Sequence, residues 1–293
     1  MINFTLASRH KDEGTRERFF YEWSIIHVAL MLTSPTVPRV FRRYVQHFNI
    51  LGITNDMFVH PLSDEGWESF SEHWLERYQD LLESLHNKDY VERMQPHSFG
   101  SHRFITGLSD SEVIYQQERF RSGGVKLIHF LKKRPELTQE DFNHYFRTQH
   151  ASRLRELMQK RGNLVRKYVQ NIPVPLDPAI FRGTLFELGS IGLYAGMEQF
   201  WFHTVHDLAL IRRDTEVYDA ILGSERHFVQ AEGSISMVVN ERVVWDFVTL
   251  NELSPQPAIL NPASLEAAID RQGYVFFDKP APVDSLHEAV SVK

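Results

Sequence analysis

Val125-Lys126-Leu127-Ile128-His129-Phe130-Leu131-Lys132-Lys133-Arg134-Pro135, followed by Thr138-Gln139-Glu140-Asp141-Phe142-Asn143-His144-Tyr145-Phe146-Arg147-Thr148-Gln149-His150, is the stretch that decides the fold. Its first part is a short β-rich run stopped by two lysines, an arginine and a proline, which reads as a strand and its exit. Thr138 then offers an N-cap, and Glu140 and Asp141 place negative charge in the first turn, where the helix dipole favours it. Phe142, Phe146 and His150 recur at i, i+4 and i+8, one stripe of a helix expected to run to about Lys160 and to stop near Gly162. Further on, Arg166 to Ile172 predicts a second strand closed by Pro173 and Pro175, and Gly196 to Phe202 a third. A helix over about Thr204 to Leu222 and a strand over about Ser234 to Val244 complete the order β-α-β-β-α-β. That order predicts a ferredoxin-like unit, an antiparallel sheet with both helices on one face.

The same signature occurs earlier in the chain. Phe19-Phe20-Tyr21-Glu22-Trp23-Ser24-Ile25-Ile26-His27 matches Phe142 to His150 at an offset of 123, which also carries Thr15 to Thr138 and Glu17 to Glu140. Tyr44-Val45-Gln46 becomes Tyr168-Val169-Gln170 at 124, and Glu68, Phe70, His73 and His97 become Glu198, Phe200, His203 and His227 at 130. A slowly growing offset is what small loop insertions leave in a tandem repeat. The first half therefore predicts a strand over Asn3 to Ser8, a helix over Thr15 to Leu32 and a strand over Arg43 to Ile50. A third strand is expected between Thr54 and Trp67. A second helix is expected over Glu68 to Leu85, with Phe70, Trp74, Tyr78, Leu81 and Leu85 on one face. The fold class read here is α+β with two tandem ferredoxin-like repeats, residues 1–122 and 123–250. Residues 251–293 form a Pro-rich extension with one strand-like island, Tyr274-Val275-Phe276-Phe277, expected to wrap the outside or pair with an edge strand.

Composition narrows the class of function. A chain of 293 residues has room for two domains, and 21 Phe, 10 Tyr and 5 Trp would not stay exposed in a solvated coil. The absence of cysteine excludes disulfides, thiolate metal sites, iron–sulfur clusters and a cysteine nucleophile. With 32 Lys+Arg against 38 Asp+Glu, a net charge of −6 argues against nucleic acid as a partner. No stretch approaches the roughly 18 to 20 apolar residues of a membrane span, and Met1 to His10 lacks the pattern of a signal peptide. The expected location is cytoplasmic.

Around residues 124–244 the sequence resembles the EthD-like family of dimeric α+β barrel proteins. The resemblance is carried by Lys126-Leu127-Ile128, by Lys132 to Thr138, and by Phe142, Phe146 and His150. Later it is carried by Glu198-Gln199-Phe200-Trp201-Phe202, Glu225-Arg226-His227-Phe228-Val229 and Val239-Asn240-Glu241. The first half matches through Phe19, Trp23, His27 and the Tyr44 strand, and departs in its third strand. Family members pair two copies face to face, so a chain with two copies implies an intramolecular dimeric α+β barrel, with a homodimer of the tandem chain as a further arrangement. Activity across the family is not uniform, ranging over decarboxylases, dehydratases and cyclising enzymes of aromatic polyketides. The wider superfamily adds cofactor-free monooxygenases, muconolactone isomerases and haem enzymes.

Five residues stand out as candidate catalytic groups: His150, His27, Tyr168, His129 and His227. His150 and His27 occupy matching helix positions, and an imidazole titrates near neutral pH, which suits enolisation, dehydration or decarboxylation. The other reading of each is a satisfied core histidine. Tyr168 and Tyr44, on matching strands, offer phenols to a developing oxyanion or simply packed rings. His129 stands where the first repeat has Leu6, and His227 and His97 precede the last strand of each repeat. The His203–His206 pair has a metal-like spacing but no HExxH pattern, and no G-x-G-x-x-G, Walker A or G-x-S-x-G motif occurs. No metal and no cofactor is expected. The function expected is a cofactor-independent lyase, isomerase or oxygenase acting on a hydrophobic, aromatic or polyketide-like small molecule. The alternatives are a non-catalytic carrier or sensor and a haem-binding tandem barrel.

Overall fold

The computed structural model describes residues 1–53, 59–62, 66–94, 97, 99–162 and 164–248; the C-terminal extension with its strand-like island lies outside them. The described strands are β1 (Ile2–Ser8), β2 (Arg43–Asn49), β3 (Ser69–Leu75), β4 (Ile105–Gln116), β5 (Gly124–Lys133), β6 (Lys167–Pro173), β7 (Ser190–Ile191), β8 (Gly196–Phe202) and β9 (Val229–Asp246). Eight of them close into an antiparallel barrel in the order β1-β3-β2-β9-β5-β8-β6-β4, with β4 pairing back onto β1. The two-residue β7 runs parallel beside β4. Closure gives each of the eight strands a neighbour on both sides, which removes the exposed edges an open sheet would carry. The first four strands and the last four join through β2–β9 and β4–β6. The two halves thus meet edge to edge in one wall, rather than as two sheets facing each other.

Helices cover the outside of that wall. In the first half α1 (Arg16–Tyr21), a π turn (Glu22–Ile26) and α2 (His27–Thr33) follow one another, then α3 (Val37–Val40), α4 (Tyr78–Leu85) and α5 (Lys88–Arg93). The second half has α6 (Gln139–Tyr145), a π turn (Phe146–His150), α7 (Ala151–Lys160), α8 (Val205–Arg213) and α9 (Thr215–Glu225). Thr15 and Thr138 are the N-caps expected: Thr15 Oγ1 accepts from the Arg18 amide, and Thr138 with Asp141 forms a capping box. Each π turn presents a backbone carbonyl to the sheet. Gln46 Nε2 donates to Trp23 O at 3.0 Å, and Gln170 Nε2 to Phe146 O at 2.9 Å. Where α6 crosses β8 there is no room for a side chain: a Cβ on Gly196 would lie 2.8 Å from the Phe142 ring. No described helix is long and apolar enough to cross a membrane.

One expected element is corrected. Ser69 to Leu75 is strand β3, not the start of a helix, and the second helix begins only at Tyr78. Phe70, Trp74 and Tyr78 fit a helical stripe by spacing, but both edges of this segment are taken by β1 and β2, and tertiary pairing overrides local periodicity. Register also revises the offset of the third strand. Tyr44 faces His73 and Tyr168 faces Phe200, while Gln46 faces Ser71 and Gln170 faces Glu198, so the offset is 127, not 130.

Alternation along the strands divides the side chains into two sets. Ala7, Phe70, Ile128, Phe130, Met197, Met237 and Val239 fill the barrel interior. Leu127, Tyr168, Phe200, Phe202 and Val238 point outward and pack under Leu154, Leu157, Ile211 and Ile221 of the helices. That division decides which predicted residues share a compartment.

Candidate functional site

Three of the predicted residues meet at one carboxylate, Glu198 on β8. His129 Nδ1, His150 Nε2 and the Tyr168 hydroxyl lie 2.8, 3.0 and 2.9 Å from its oxygens. All four residues are 0% exposed. His150 Nδ1 is 3.0 Å from Ser224 Oγ, and Gln170 Nε2 donates to the Tyr168 oxygen at 2.9 Å. Burial alone would push the Glu198 carboxyl up, but the hydrogen bonds from His129 and His150 outweigh it and hold it well below the usual range. Burial, reinforced by the Glu198 charge, raises the Tyr168 phenol well above its ordinary value. His150 does not reach the barrel interior: this cluster sits under the helices, on the outer face of the wall, because Tyr168 and Phe200 belong to the outward set.

Two residues that sequence reading did not select complete this compartment. Glu225, at the end of α9, lies in the same cluster as His150 and Glu198, and His60 brings Nε2 to 3.0 Å from Glu225 Oε2. His60 and His129 meet edge to face at 5.1 Å. Burial and the neighbouring Glu198 charge push the Glu225 carboxyl up to about 8, and burial pushes the His60 imidazole down.

A second polar cluster occupies the barrel interior. Lys126 Nζ lies 2.9 Å from Glu72 Oε2, 2.9 Å from Glu241 Oε2 and 2.7 Å from His47 Nε2. His47 Nδ1 donates to Phe70 O, so its Nε2 is the acceptor for the ammonium. Asn3 and Gln199 donate to Glu72 Oε1, the Trp201 indole to Glu241 Oε2 and the Gly123 amide to Glu241 Oε1. Burial would raise Glu72, but Lys126 and His47 bring it down to about 2.

His27 stands apart from these clusters. It lines a cavity of about 110 Å³ between the first half's helices and its sheet, walled by Phe4, Trp23, Phe41 and Phe99 and shared with His73 and His97. His97 Nε2 is 2.9 Å from Glu22 Oε2, while His97 Nδ1 and His27 Nδ1 are buried without a hydrogen-bond partner among the described residues. The hydrogen bond from His97 lowers the Glu22 carboxyl. Burial, with His73 and His97 nearby, pushes His27 down to about 3. Burial brings His73 down to about 4, and its ring stacks on Tyr44 at 4.6 Å.

His227 is exposed and lines an outer groove of about 310 Å³ with His150 and Ser224. A larger cavity of about 330 Å³ opens at one end of the barrel, lined by Ala7, Phe70, Phe130, Met197, Leu193 and Tyr194 with Thr5, Ser109 and Asn171 among its polar groups. None of its described lining residues is a histidine, so it offers no imidazole to a haem iron.

The EthD domain model matches residues 134–232. No curated protein matches the chain in sequence. Among solved structures, an anthrone oxidase-like protein superposes with a TM-score of 0.54 at 9% identity, covering 84% of this chain and 94% of that one. A chlorite dismutase variant from Candidatus Nitrospira defluvii gives 0.41 at 12% identity, covering 81% and 90%. At such identities the first of these speaks for the fold and for nothing else. The part of the chain that resembles the EthD domain therefore runs from just before α6 to the start of β9, within the closed α+β barrel.

Proposed function

We propose that this protein is an enzyme that moves a proton on a small aromatic or enolisable molecule bound in the cavity between the first half's helices and its sheet. One observation carries the reading: the Glu22–His97 pair and His27 converge on a cavity with aromatic walls. A carboxylate on Nε2 orients the His97 ring and leaves Nδ1 to take a proton from a phenol or from carbon beside a carbonyl. The imidazolium so formed is stabilised by Glu22, and the substrate oxygen gains the negative charge. His27, neutral at working pH, offers that oxygen an N–H in a site of low dielectric. Return of the proton to another atom gives isomerisation, and expulsion of a leaving group gives a lyase reaction. Neither needs an organic cofactor.

Deuterium exchange tests this. Wild-type protein in D2O should label acidic C–H positions in a panel of phenols and aromatic ketones, His97→Gln should abolish labelling, and His27→Phe should slow it by 10- to 100-fold. Binding of these compounds without any labelling would overturn the enzymatic reading. It would favour a carrier using the barrel-end cavity, which is larger and has no described histidine, carboxylate or ammonium in its lining.

We also read the chain as an internal duplication, residues 1–122 and 123–250. Its support is recurrent geometry: two π turns, and two glutamines each bridging a π-turn carbonyl to a tyrosine hydroxyl at 2.9 Å. Tyr44 stacks on His73 as Tyr168 stacks on Phe200.

A further inference from the structure

We propose that His60, His129 and Glu225 form a binding site for one divalent first-row transition-metal ion. Their ligand atoms lie within 4.8 Å of one another, and the residues are 2%, 0% and 2% exposed. Buried polar atoms are almost always hydrogen-bonded, yet His129 Nε2, both nitrogens of His60 and both oxygens of Glu225 form no hydrogen bond among the described residues, the 3.0 Å approach of His60 Nε2 to Glu225 Oε2 lacking the geometry of one. Five such atoms fall on three residues that face one point.

The surroundings match what a metal site requires. His129 gives its Nδ1 proton to Glu198, which leaves the Nε2 lone pair free and aimed at His60 and Glu225. Glu198 is in turn held by His150 and Tyr168, so the ring it orients cannot swing away. The segment carrying His60 is pinned to β9, since the Ser236 hydroxyl donates to His60 O at 2.8 Å and the Ser236 amide to Pro61 O at 2.7 Å. Glu198 and Glu225 are two buried carboxylates side by side with no lysine or arginine among their described partners. A dication would supply the missing positive charge. Two imidazoles and one carboxylate suit Fe(II), Mn(II), Co(II) or Zn(II), and three protein ligands leave coordination positions open. The outer groove lined by His150 and Ser224 ends one residue from Glu225 and offers a way in.

Cobalt is the probe. Tag-free protein stripped with a chelator and titrated with Co(II) should bind one ion per chain, show visible d–d absorption and gain melting temperature. His60→Ala, His129→Ala and Glu225→Gln should each lose the absorption. Glu198→Gln should weaken binding by 10- to 100-fold, because it orients a ligand without being one. Glu225→Gln keeps shape and volume, so it decides the matter if either histidine variant fails to fold. Absence of stoichiometric Co(II), Zn(II), Mn(II) or Fe(II) binding by the stripped protein would overturn the proposal. So would wild-type affinity in folded Glu225→Gln. The titration needs no substrate, and its failure leaves the Glu22–His97 cavity untouched.

Discussion

Lys126 and Glu225 mark two ways of placing a pair of carboxylates in the interior of one protein. Inside the barrel, Glu72 and Glu241 share the Lys126 ammonium, which also rests 4.1 Å over the Trp201 ring. Under the helices of the second half, Glu198 and Glu225 are equally buried, and their partners are imidazoles, a phenol and each other. The first cluster carries its own cation and has nearly all its positions hydrogen-bonded. The second satisfies one carboxylate three times over and leaves the other without a hydrogen-bond donor among the described residues. Buried charge is costly unless paired and hydrogen-bonded, so the first arrangement is that of a structural pin. The second keeps a group in an unfavourable state, as functional sites do.

The largest effect should come from removing the built-in cation. Lys126→Met leaves Glu72 and Glu241 uncompensated, and breaking a buried pair this way should cost about 3–5 kcal/mol by urea unfolding. A loss under 1 kcal/mol would mean the ammonium is not what permits the two acids.

The same operation on the second cluster should have the opposite sign. Glu225 is raised to about 8 from an ordinary 4.5, so the metal-free folded state holds a proton that the unfolded chain releases above about pH 4.5. The penalty is absent at low pH and grows as pH rises towards 8. Glu225→Gln removes it and should stabilise metal-free protein by ~1–3 kcal/mol at pH 7, with a smaller gain at pH 5. Destabilisation at pH 7 would remove the contrast.

The helix-borne histidines extend the comparison. His150 is tied to Glu198, whereas His27 is kept neutral by burial down to about pH 3. The unfolded chain takes up a proton at this position below about pH 6.5, so the contribution of neutral His27 is present above 6.5 and lost as pH falls. His27→Phe should flatten the stability profile between pH 6.5 and 5 by ~1.4 kcal/mol per unit, measured by denaturation at several pH values.

The smallest expected difference is between the two strand tyrosines. Both hydroxyls accept from a glutamine, but only Tyr168 also donates to a buried carboxylate. Tyr168→Phe should therefore cost ~1 kcal/mol more than Tyr44→Phe, readable as a few degrees of melting temperature. Equal losses would show that Glu198 does not need its third donor.

Much of the fold could be read along the chain because its signals are local. Thr15 and Thr138 cap helices, and the stripe Phe142, Phe146, His150 is helical; Arg134 and Pro135 follow directly on the strand that ends at Lys133. The third strand of the first half failed that treatment, since Phe70, Trp74 and Tyr78 carry a helical spacing while β1 and β2 bind both edges of the segment. Site residues divide in the same way. His150, Tyr168 and His129 belong to one cluster, which their positions along the chain do not show, and His27 lines another compartment. Glu198 gave a signal of its own, a lone acid inside the apolar run Gly196 to Phe202. His60 and Lys126 gave none, because a histidine between loop residues and a lysine in a strand are ordinary until their neighbours are known.

What the amino-acid order determined by itself is the alternation of strands and helices, their caps and stops, and the recurrence of one pattern at an offset near 123. These depend on contacts between residues a few positions apart. Tertiary structure alone decided the face on which each polar side chain lies and what stands opposite it. His60 and Glu225, 165 positions apart, meet at 3.0 Å only because the segment before β3 is hydrogen-bonded to β9 and α9 ends over that same strand's neighbour. Charge compensation between buried groups follows from such meetings. That is why the difference between a cluster with its cation and a cluster without one exists in space and nowhere along the chain.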